Sequence, residues 1–419
     1  MTSSCRNGNQ SGTARTRFPD HDTDQDANGS SLQRKVQVLI VGLGPAGTAC
    51  GMALADSGLD VLAVDRAYFP RDKICGDALT EEALSFLKQH TIPSTIIQRS
   101  VSETRKPSFE DLTPALAEAN GYSLVGNGLR NTRGSFHSIR RIELDNWLVA
   151  CCAEADLAME FGWQVQSLHR VSSSDPWSVK GTIRSPNGQI RGQFEITAEV
   201  VVGCDGVSSI IQHMSREKPS ARPIALASRR YSRSDEVEDP DISSMDYQWP
   251  RNPSYAWKFS VTGGTNAGIY WCHHRDIPRI SGRDLLALTR QHVPKGDLIR
   301  TWGIPVLTED PLPNAPSGIL LTGDAASLVD PLIGHGIDRA IHSGDLAGKI
   351  LAKGFQSGCN VDKVTRTYEN NLEIRRHHWQ RSFKELDKIL QGIDDTSEQF
   401  TKRLLHSVLM RSKTNPETT

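Results

Sequence analysis

A short glycine pattern at residues 42–47, GLGPAG, constrains this chain more than any other feature. It follows the apolar, β-branched run 36–41 and precedes small residues typical of a packed helix. In such a strand-turn-helix unit, the first glycine permits a tight turn and the second lets the backbone approach a pyrophosphate. The third lets the helix pack on the strand. The residues expected to contact a dinucleotide here are Gly42, Gly44, Pro45, Ala46 and Gly47.

Asp65 supports the same interpretation. It ends the next apolar run, 61–64, about 20 residues beyond the glycine pattern, where a carboxylate binds the adenosine ribose hydroxyls. Two strands flanking a helix predict the βαβ start of a doubly wound α/β sheet. The pattern does not by itself distinguish FAD from NAD.

The bulk composition excludes several classes of function. The chain has 419 residues, enough for two or three domains, and a formal net charge of −1. No global field would recruit nucleic acid, so we expect no nucleic-acid partner. The longest apolar runs are the length of a strand, so we expect no transmembrane segment. The charged residues of 375–384 suggest a solvated helix face, and they leave open a peripheral membrane contact.

The cysteine pattern indicates the compartment. Eight cysteines are spread along the chain without a C-x-x-C pair, so neither a zinc site nor a disulfide framework is indicated. Cys272, His273 and His274 are adjacent, but neighbours on a strand point to opposite faces and make a poor chelate. We therefore expect no metal and a cytoplasmic location.

The first 34 residues are expected to form a disordered tail. Residues 1–18 are rich in Ser, Thr and Arg without Asp or Glu, a composition that organelle transit peptides share. Four aspartates between residues 20 and 26 and the absence of an apolar face favour the disordered tail instead.

Two later motifs decide the cofactor. Residues 201–209, VVGCDGVSS, form an apolar run leading into an Asp-Gly turn, and residues 318–326, GILLTGDAA, form another that ends in Gly-Asp-Ala-Ala. With the glycine pattern, they make residues 35–355 resemble the FAD-dependent hydroxylases, halogenases and geranylgeranyl reductases. The resemblance implies FAD and a Rossmann-type α/β FAD-binding domain like those of glutathione reductase and p-hydroxybenzoate hydroxylase. It also implies an inserted antiparallel β-sheet substrate domain and C-terminal helices.

The resemblance also implies roles for individual residues. Asp324 would hold the flavin ribityl chain, Asp205 would lie near the pyrophosphate, and Arg141 matches the family's flavin-contacting Arg-x-x-Leu-Asp. Gln212 departs from the family, which usually has arginine after the Asp-Gly turn. Outside the glycine pattern, the expected FAD contacts are Asp65, Arg66, Lys73, Cys75, Gly76, Arg141, Asp205, Gly206, Gly323, Asp324, Pro331, Gly334, Gly336 and Ile337.

Four segments resemble the geranylgeranyl reductases in particular, which saturate isoprenoid double bonds. Residues 69–77 match their Pro-Arg-x-Lys-x-Cys-Gly-Asp segment, and residues 227–231 match their Ala-x-Arg-x-Tyr strand. Residues 255–259 match Tyr-x-Trp-x-Phe, although Ser260 replaces the proline that follows in the family. Residues 330–337 match Asp-Pro-x-x-Gly-Glu-Gly-Ile, with His335 in place of the glutamate.

Two residues are candidates for catalysis. The thiol of Cys75 could protonate the carbon opposite a hydride, or it could be a small buried residue. His335 could donate protons at neutral pH, or it could be a neutral hydrogen-bonding residue of its loop. Tyr255, Trp257 and Phe259 alternate, so they share one strand face that either lines a substrate cavity or packs in the core.

Two enzymatic functions follow. The first is reduction of a carbon–carbon double bond in an isoprenoid or other hydrophobic small molecule. The second is oxygen-dependent hydroxylation or oxidation of a small metabolite, which the changes at His335 and Ser260 favour. A halogenase ranks lower because its Trp-x-Trp-x-Ile-Pro motif is missing, and a non-catalytic carrier would have lost the FAD motifs. Without a second nucleotide-binding signature, NADPH or NADH would bind transiently, or a reduced carrier protein would deliver electrons.

The expected domain organisation is discontinuous. FAD-binding segments are predicted at about 35–90, 125–165, 195–215 and 310–355. The substrate domain is predicted at about 90–125, 165–195 and 215–310, and a helical region at 356–419. Within the first domain, residues 142–161 predict a single helix.

Overall fold

The computed structural model describes residues 31–90, 92–105, 122–125, 128–215, 224–246, 254–273, 277–309, 315–381 and 384. The N-terminal tail over residues 1–30, His274 and the chain after residue 384 lie outside these ranges.

The strands, in chain order, are β1 (Leu32–Val41), β2 (Val61–Asp65), β3 (Gln98–Arg105), β4 (Tyr122–Val125), β5 (Gly128–Ser138), β6 (Ala158–Phe161), β7 (Trp163–His169), β8 (Trp177–Arg184), β9 (Ile190–Gly203), β10 (Ile224–Arg233), β11 (Ile242–Asp246), β12 (Tyr255–Val261), β13 (Gly264–Trp271), β14 (Arg300–Pro305) and β15 (Ile319–Leu321). The helices are α1 (Pro45–Leu54), α2 (Glu81–Gln89), α3 (Arg141–Glu154), α4 (Ile210–Met214), α5 (Gly282–His292), α6 (Ile337–Gln356) and α7 (Val361–Trp379). A 3₁₀ turn covers Gly323–Ala326.

The first sheet carries the dinucleotide-binding motif. Its described strands run in the order β6-β2-β1-β9-β8-β7, with β15 also beside β9. The strands β6, β2, β1, β9 and β15 are parallel. Val41 pairs with Gly203, and Gly203 pairs with Leu321. The three FAD motifs therefore leave the sheet at one edge, because the carboxyl ends of parallel strands meet there.

The second sheet has the described order β14-β10-β13-β12-β11-β3-β5-β4. Its pairs are antiparallel except for β11 with β3. This is the inserted sheet that the sequence predicts. Together with the parallel sheet and the helices α6 and α7, it gives the expected FAD-binding α/β fold.

Two segments differ from the expected organisation. Residues 165–195, assigned above to the substrate domain, pair within the first sheet, where β7 and β8 extend β9 antiparallel. The cause is the length of β9, which pairs with β1 along one edge and with β8 along the other. Residues 142–161 are not one helix, because α3 ends at Glu154 and β6 then pairs with β2.

Close helix packing fixes the positions of the motif loops. A Cβ on Gly344 of α6 would lie 2.0 Å from the backbone oxygen of Ala46, and one on Gly348 would lie 2.6 Å from that of Cys50. The absence of side chains lets α1 and α6 touch backbone to backbone. The turn before α6 is thereby held beside the glycine pattern. In the described part of the chain, no helix is long and apolar enough to cross a membrane.

Candidate active site

A cavity of about 720 Å³ lies between the carboxyl edge of the first sheet and the second sheet. It brings together most of the residues that the sequence singled out. The predicted residues along its wall are Gly42, Gly44, Pro45, Ala46, Asp65, Arg66, Lys73, Cys75, Gly76, Arg141, Asp205, Gly206, Tyr255, Trp257, Phe259, Asp324, Gly334, His335, Gly336 and Ile337.

The other three predicted cofactor residues, Gly47, Gly323 and Pro331, contact residues of this wall. A Cβ on Gly47 would lie 1.8 Å from the backbone oxygen of Gly42, so this position requires glycine for packing within the turn. Gly323 has a φ of 52° and donates its N–H to Ser343 Oγ at 2.9 Å. The carbonyl of Pro331 accepts a hydrogen bond from Tyr270 Oη at 2.9 Å.

The turn at residues 42–47, here called the glycine turn, leaves its backbone open to a pyrophosphate. Gly42 has a φ of 101°, and a Cβ there would lie 2.5 Å from the carbonyl oxygen of Cys204. At Gly44 the nearest atom to a Cβ would be Arg71 Nη2 at 3.7 Å. The backbone of Gly44 is therefore open to the cavity and faces a guanidinium.

Asp65 is fixed by backbone donors at the end of β2. Its Oδ2 accepts the Leu43 N–H at 2.8 Å, and its Oδ1 accepts the Ala67 N–H at 2.8 Å. Each oxygen keeps a further lone pair for a hydroxyl donor. This geometry suits the ribose contact that the motif predicts.

Arg71 is a site residue that the sequence analysis did not assign. Its Nη1 lies 2.7 Å from Asp145 Oδ2, and its guanidinium carbon lies 4.7 Å from the centroid of the Phe69 ring. Arg141 holds the same carboxylate through Nε and Nη2, both at 2.8 Å. Arg71 Nη2 also lies 3.9 Å from Asp65 Oδ2, so this guanidinium is held between two acids with one edge facing Gly44, which suits a bound phosphate. Because Arg71 lies in the segment 69–77, that resemblance was the signal available for finding it.

The carboxyl edge carries two further acids in different settings. Lys73 Nζ lies 3.7 Å from Asp324 Oδ2, so this lysine and this acid face each other across the cavity wall. Asp205 instead turns toward the start of α4, where it accepts hydrogen bonds from Ser209 Oγ at 2.5 Å and from the Ile210 N–H at 2.7 Å. Burial raises the pKa of Asp205. Because it accepts the Ile210 N–H, Asp205 caps the start of α4, and it also lines the cavity.

Cys75 lies where the FAD-binding edge meets the second sheet. A Cβ on the adjacent Gly76 would lie 3.3 Å from Phe259 Cε2 and 3.6 Å from Trp257 Cε2. The Asp77 N–H donates to the Cys75 sulfur at 3.4 Å. Burial raises the pKa of this thiol, Arg141 lowers it and Asp77 raises it further. The thiol is partly exposed to the cavity.

The aromatic side chains of β12 pack in the core and also line the cavity. Tyr255, Trp257 and Phe259 belong to a buried cluster, and all three line the cavity. Tyr255 is anchored by a hydrogen bond from its hydroxyl to the carbonyl of Ile333 at 2.6 Å. Trp302 of β14 adds another ring at the same wall, 6.4 Å from Trp257. The result is an apolar, aromatic compartment beside Cys75.

His335 is held between two acids. Its Nδ1 lies 2.8 Å from Asp338 Oδ1, and its Nε2 lies 3.5 Å from Asp330 Oδ2. Asp330 is also bound by Arg339 at 2.7 Å. Burial lowers the pKa of His335, but the charge of Asp338 and the hydrogen bonds to both acids outweigh burial and raise it to about 9. The imidazolium thus fastens the loop that begins α6.

Several wall residues had no signal in the sequence. Trp163, Gln164 and Val165 reach the cavity because β7 pairs in the first sheet, a connection that no local pattern predicts. Trp302 reaches it through the pairing of β14 with β10. Within the described ranges, no group of His, Cys, Asp and Glu side chains is arranged to hold a metal ion.

The residues present fit FAD. The open backbone at Gly44, the Arg71 guanidinium that faces it and the anchored Asp65 provide contacts for a pyrophosphate and a ribose. The aromatic compartment lies further along the same continuous cavity.

Comparison with known proteins agrees with this geometry. Residues 35–222 match the model of the FAD binding domain family. The chain is 26% identical over 349 residues to a menaquinone reductase of Mycolicibacterium smegmatis, covering 77% of this chain and 78% of that protein. It is 25% identical over 373 residues to digeranylgeranylglycerophospholipid reductase 1 of Methanopyrus kandleri, covering 85% and 91%.

Solved structures show the same fold. A geranylgeranyl bacteriochlorophyll reductase-like protein from Thermoplasma acidophilum superimposes with a TM-score of 0.65 at 20% identity, covering 92% of this chain and 98% of that one. PqsL of Pseudomonas aeruginosa, described as a probable FAD-dependent monooxygenase, superimposes with a TM-score of 0.60 at 18% identity, covering 88% and 99%.

With the glycine turn, the anchored acid and the matching domain together, this protein is an FAD-dependent oxidoreductase. Among such enzymes, it resembles the geranylgeranyl reductases, with the menaquinone and digeranylgeranylglycerophospholipid reductases as relatives.

Proposed function

We propose that this protein reduces a carbon–carbon double bond of an isoprenoid or other hydrophobic small molecule. The observation that supports this most strongly is the position of Cys75, between the FAD motifs and the aromatic wall of Trp257 and Phe259 in one cavity. The names of the relatives in Methanopyrus and Mycolicibacterium agree with a reductase of hydrophobic compounds.

Reduction of a double bond adds a hydride, with its electron pair, to one carbon and a proton to the other. FAD held by the glycine turn and Asp65 would, in its reduced form, supply the hydride. Cys75 Sγ holds the proton, and the thiolate left behind is stabilised by Arg141 and by the Asp77 N–H. Tyr255, Trp257 and Phe259 hold the apolar substrate and exclude water.

The supply of electrons and the location are part of the same proposal. NADPH or NADH binds transiently to reduce the FAD, or a reduced carrier protein does so. The protein works in the cytoplasm, the compartment that the spacing of its eight cysteines favours. A hydrophobic substrate would bring it into peripheral contact with a membrane.

A monooxygenase is the second candidate. His335 and Ser260 replace the glutamate and proline of the reductase pattern. The fold is also shared with PqsL, although fold alone does not decide the reaction.

The experiment is anaerobic. FAD-loaded protein is reduced chemically, and geranylgeranyl diphosphate or a geranylgeranylated glycerol lipid is added. We expect the oxidised flavin spectrum to return and the product mass to increase by two hydrogens for each bond reduced. Cys75→Ser should slow this step while leaving the bound FAD unchanged. If the flavin stays reduced until air is admitted, the reductase proposal fails and the oxygen-using enzyme becomes the better interpretation.

A further inference from the structure

Asp77 is a buried acid at the junction of four elements of the site. It follows the Cys75-Gly76 turn with a φ of 68°, and its side chain is fully buried. Its Oδ1 accepts the Arg141 N–H at 3.3 Å, and its Oδ2 accepts from Asn266 Nδ2 at 2.8 Å and from the hydroxyl of Tyr231. Asp77 thus links the turn that carries Cys75 to α3, β10 and β13.

The two arginines near Asp77 form ion pairs with other acids. Arg229 lies 2.6 Å from Asp72, and Arg141 is bound twice to Asp145. The charges of both arginines lower the pKa of Asp77. Burial outweighs them and the hydrogen bonds from Tyr231 and Asn266, and it raises this pKa to about 6.

Asp77 is also tied directly to Cys75. Its N–H donates to the sulfur at 3.4 Å, and Asn266 Nδ2 bridges the Cys75 carbonyl at 2.7 Å to the Asp77 carboxylate at 2.8 Å. The ionised carboxylate opposes a thiolate on Cys75, whereas Arg141 favours one. The charge on Asp77 therefore influences the protonation of the Cys75 thiol.

We propose that Asp77 is an ionisable positioning residue that sets the protonation state of Cys75. Together with burial, its negative charge keeps the proton on the thiol until the substrate takes it, while the Asp77 N–H holds the sulfur in place. The charged and titratable groups that face Asp77 are Tyr231 and Arg229 of β10, Arg141 of α3 and Cys75 itself. Tyr231 is itself covered by the guanidinium groups of Arg140 and Arg229, 4.6 and 4.0 Å from its ring centroid.

This inference rests on the proposed function for its role in turnover, but its test needs no substrate. Cys75 in the FAD-loaded protein is alkylated with iodoacetamide across a pH series, and its labelling is followed by peptide mass spectrometry. Cys359, a partly exposed thiol on the loop before α7, serves as the internal reference.

Asp77→Asn removes the charge and keeps the shape. We expect the labelling rate of Cys75 at pH 8 to rise roughly tenfold relative to Cys359, because a nearby negative charge no longer opposes the thiolate. Tyr231→Phe keeps the charge but breaks the link to β10, so its labelling rate should stay close to that of the wild type.

Three results would overturn the inference. Equal labelling in Asp77→Asn and wild type would show that the charge is not felt at Cys75. An equal increase in both variants would show that the loop had merely loosened. Absence of Cys75 labelling in every form would show that removing the charge does not create a thiolate. Each of these is separate from failure of isoprenoid reduction, which would count against the proposed function and leave the Asp77–Cys75 coupling measurable.

Discussion

His335 Nδ1 lies 2.8 Å from an oxygen of Asp338, three residues further along the chain at the start of α6. His335 stands where the family has a glutamate, and it faces two acids, Asp338 and Asp330. The substitution therefore places an ionic contact in this loop. The pKa of His335, raised to about 9 from an ordinary value of 6.5, determines how the contact depends on pH.

The first prediction is that stability falls in alkaline solution. A raised histidine pKa contributes stability that is fully present below about pH 6.5 and is lost as the pH rises through about 9. The free energy of unfolding should therefore fall by about 3 kcal/mol over that interval. His335→Gln should remove most of the fall, measured by urea unfolding at a series of pH values. His213→Gln, an exposed histidine on α4, is the control and should keep it. A wild-type stability that is flat over this interval would contradict the ionic contact.

The second prediction concerns FAD affinity. Asp65→Asn replaces one acceptor oxygen by a donor that faces the N–H of Leu43 or Ala67. The affinity for FAD should fall about 10- to 100-fold, measured by fluorescence titration of the apoprotein. Asp56→Asn, at an exposed position before β2, should bind FAD like the wild type. Unchanged affinity in Asp65→Asn would remove this residue from the site.

The third prediction tests the glycine turn as packing. A Cβ at residue 47 would lie 1.8 Å from a backbone oxygen that cannot move independently. Gly47→Ala should lower the free energy of unfolding by about 3 kcal/mol and release FAD. In contrast, Gly192→Ala places its Cβ in open space on β9 and should leave both unchanged. Equal stability of the two variants would disprove the close contact of α1 with the turn.

The fourth prediction follows from the proposed function. Phe259→Leu enlarges the aromatic compartment beside Gly76, so the KM for the apolar substrate should rise several-fold while FAD remains bound. Val261→Ala is the matched control, since Val261 is buried on the same strand but does not line the cavity. Steady-state kinetics under anaerobic conditions would decide. A rise in KM in both variants would indicate general loosening instead.

Residues 142–161 and Arg71 show what the local sequence pattern did not predict. Residues 142–161 contain enough apolar positions to predict one helix, yet the chain turns at Asp156, which has a φ of 56°. The strand β6 then forms because the edge of β2 is available for pairing, a fact that lies elsewhere in the chain. Arg71 likewise gained a role only when folding brought it to Asp145 of α3.

The sequence alone determined the strand-turn-helix at Gly42, the acid at residue 65 and the order of the FAD motifs, because these depend on backbone conformation and on spacing along the chain. Only the tertiary structure decided that β7 and β8 join the first sheet, that His335 lies between two acids and that Asp77 is buried beside Cys75. Those outcomes depend on which groups share a space without water, and there the cost of desolvation and the nearest charges set the chemistry of each side chain.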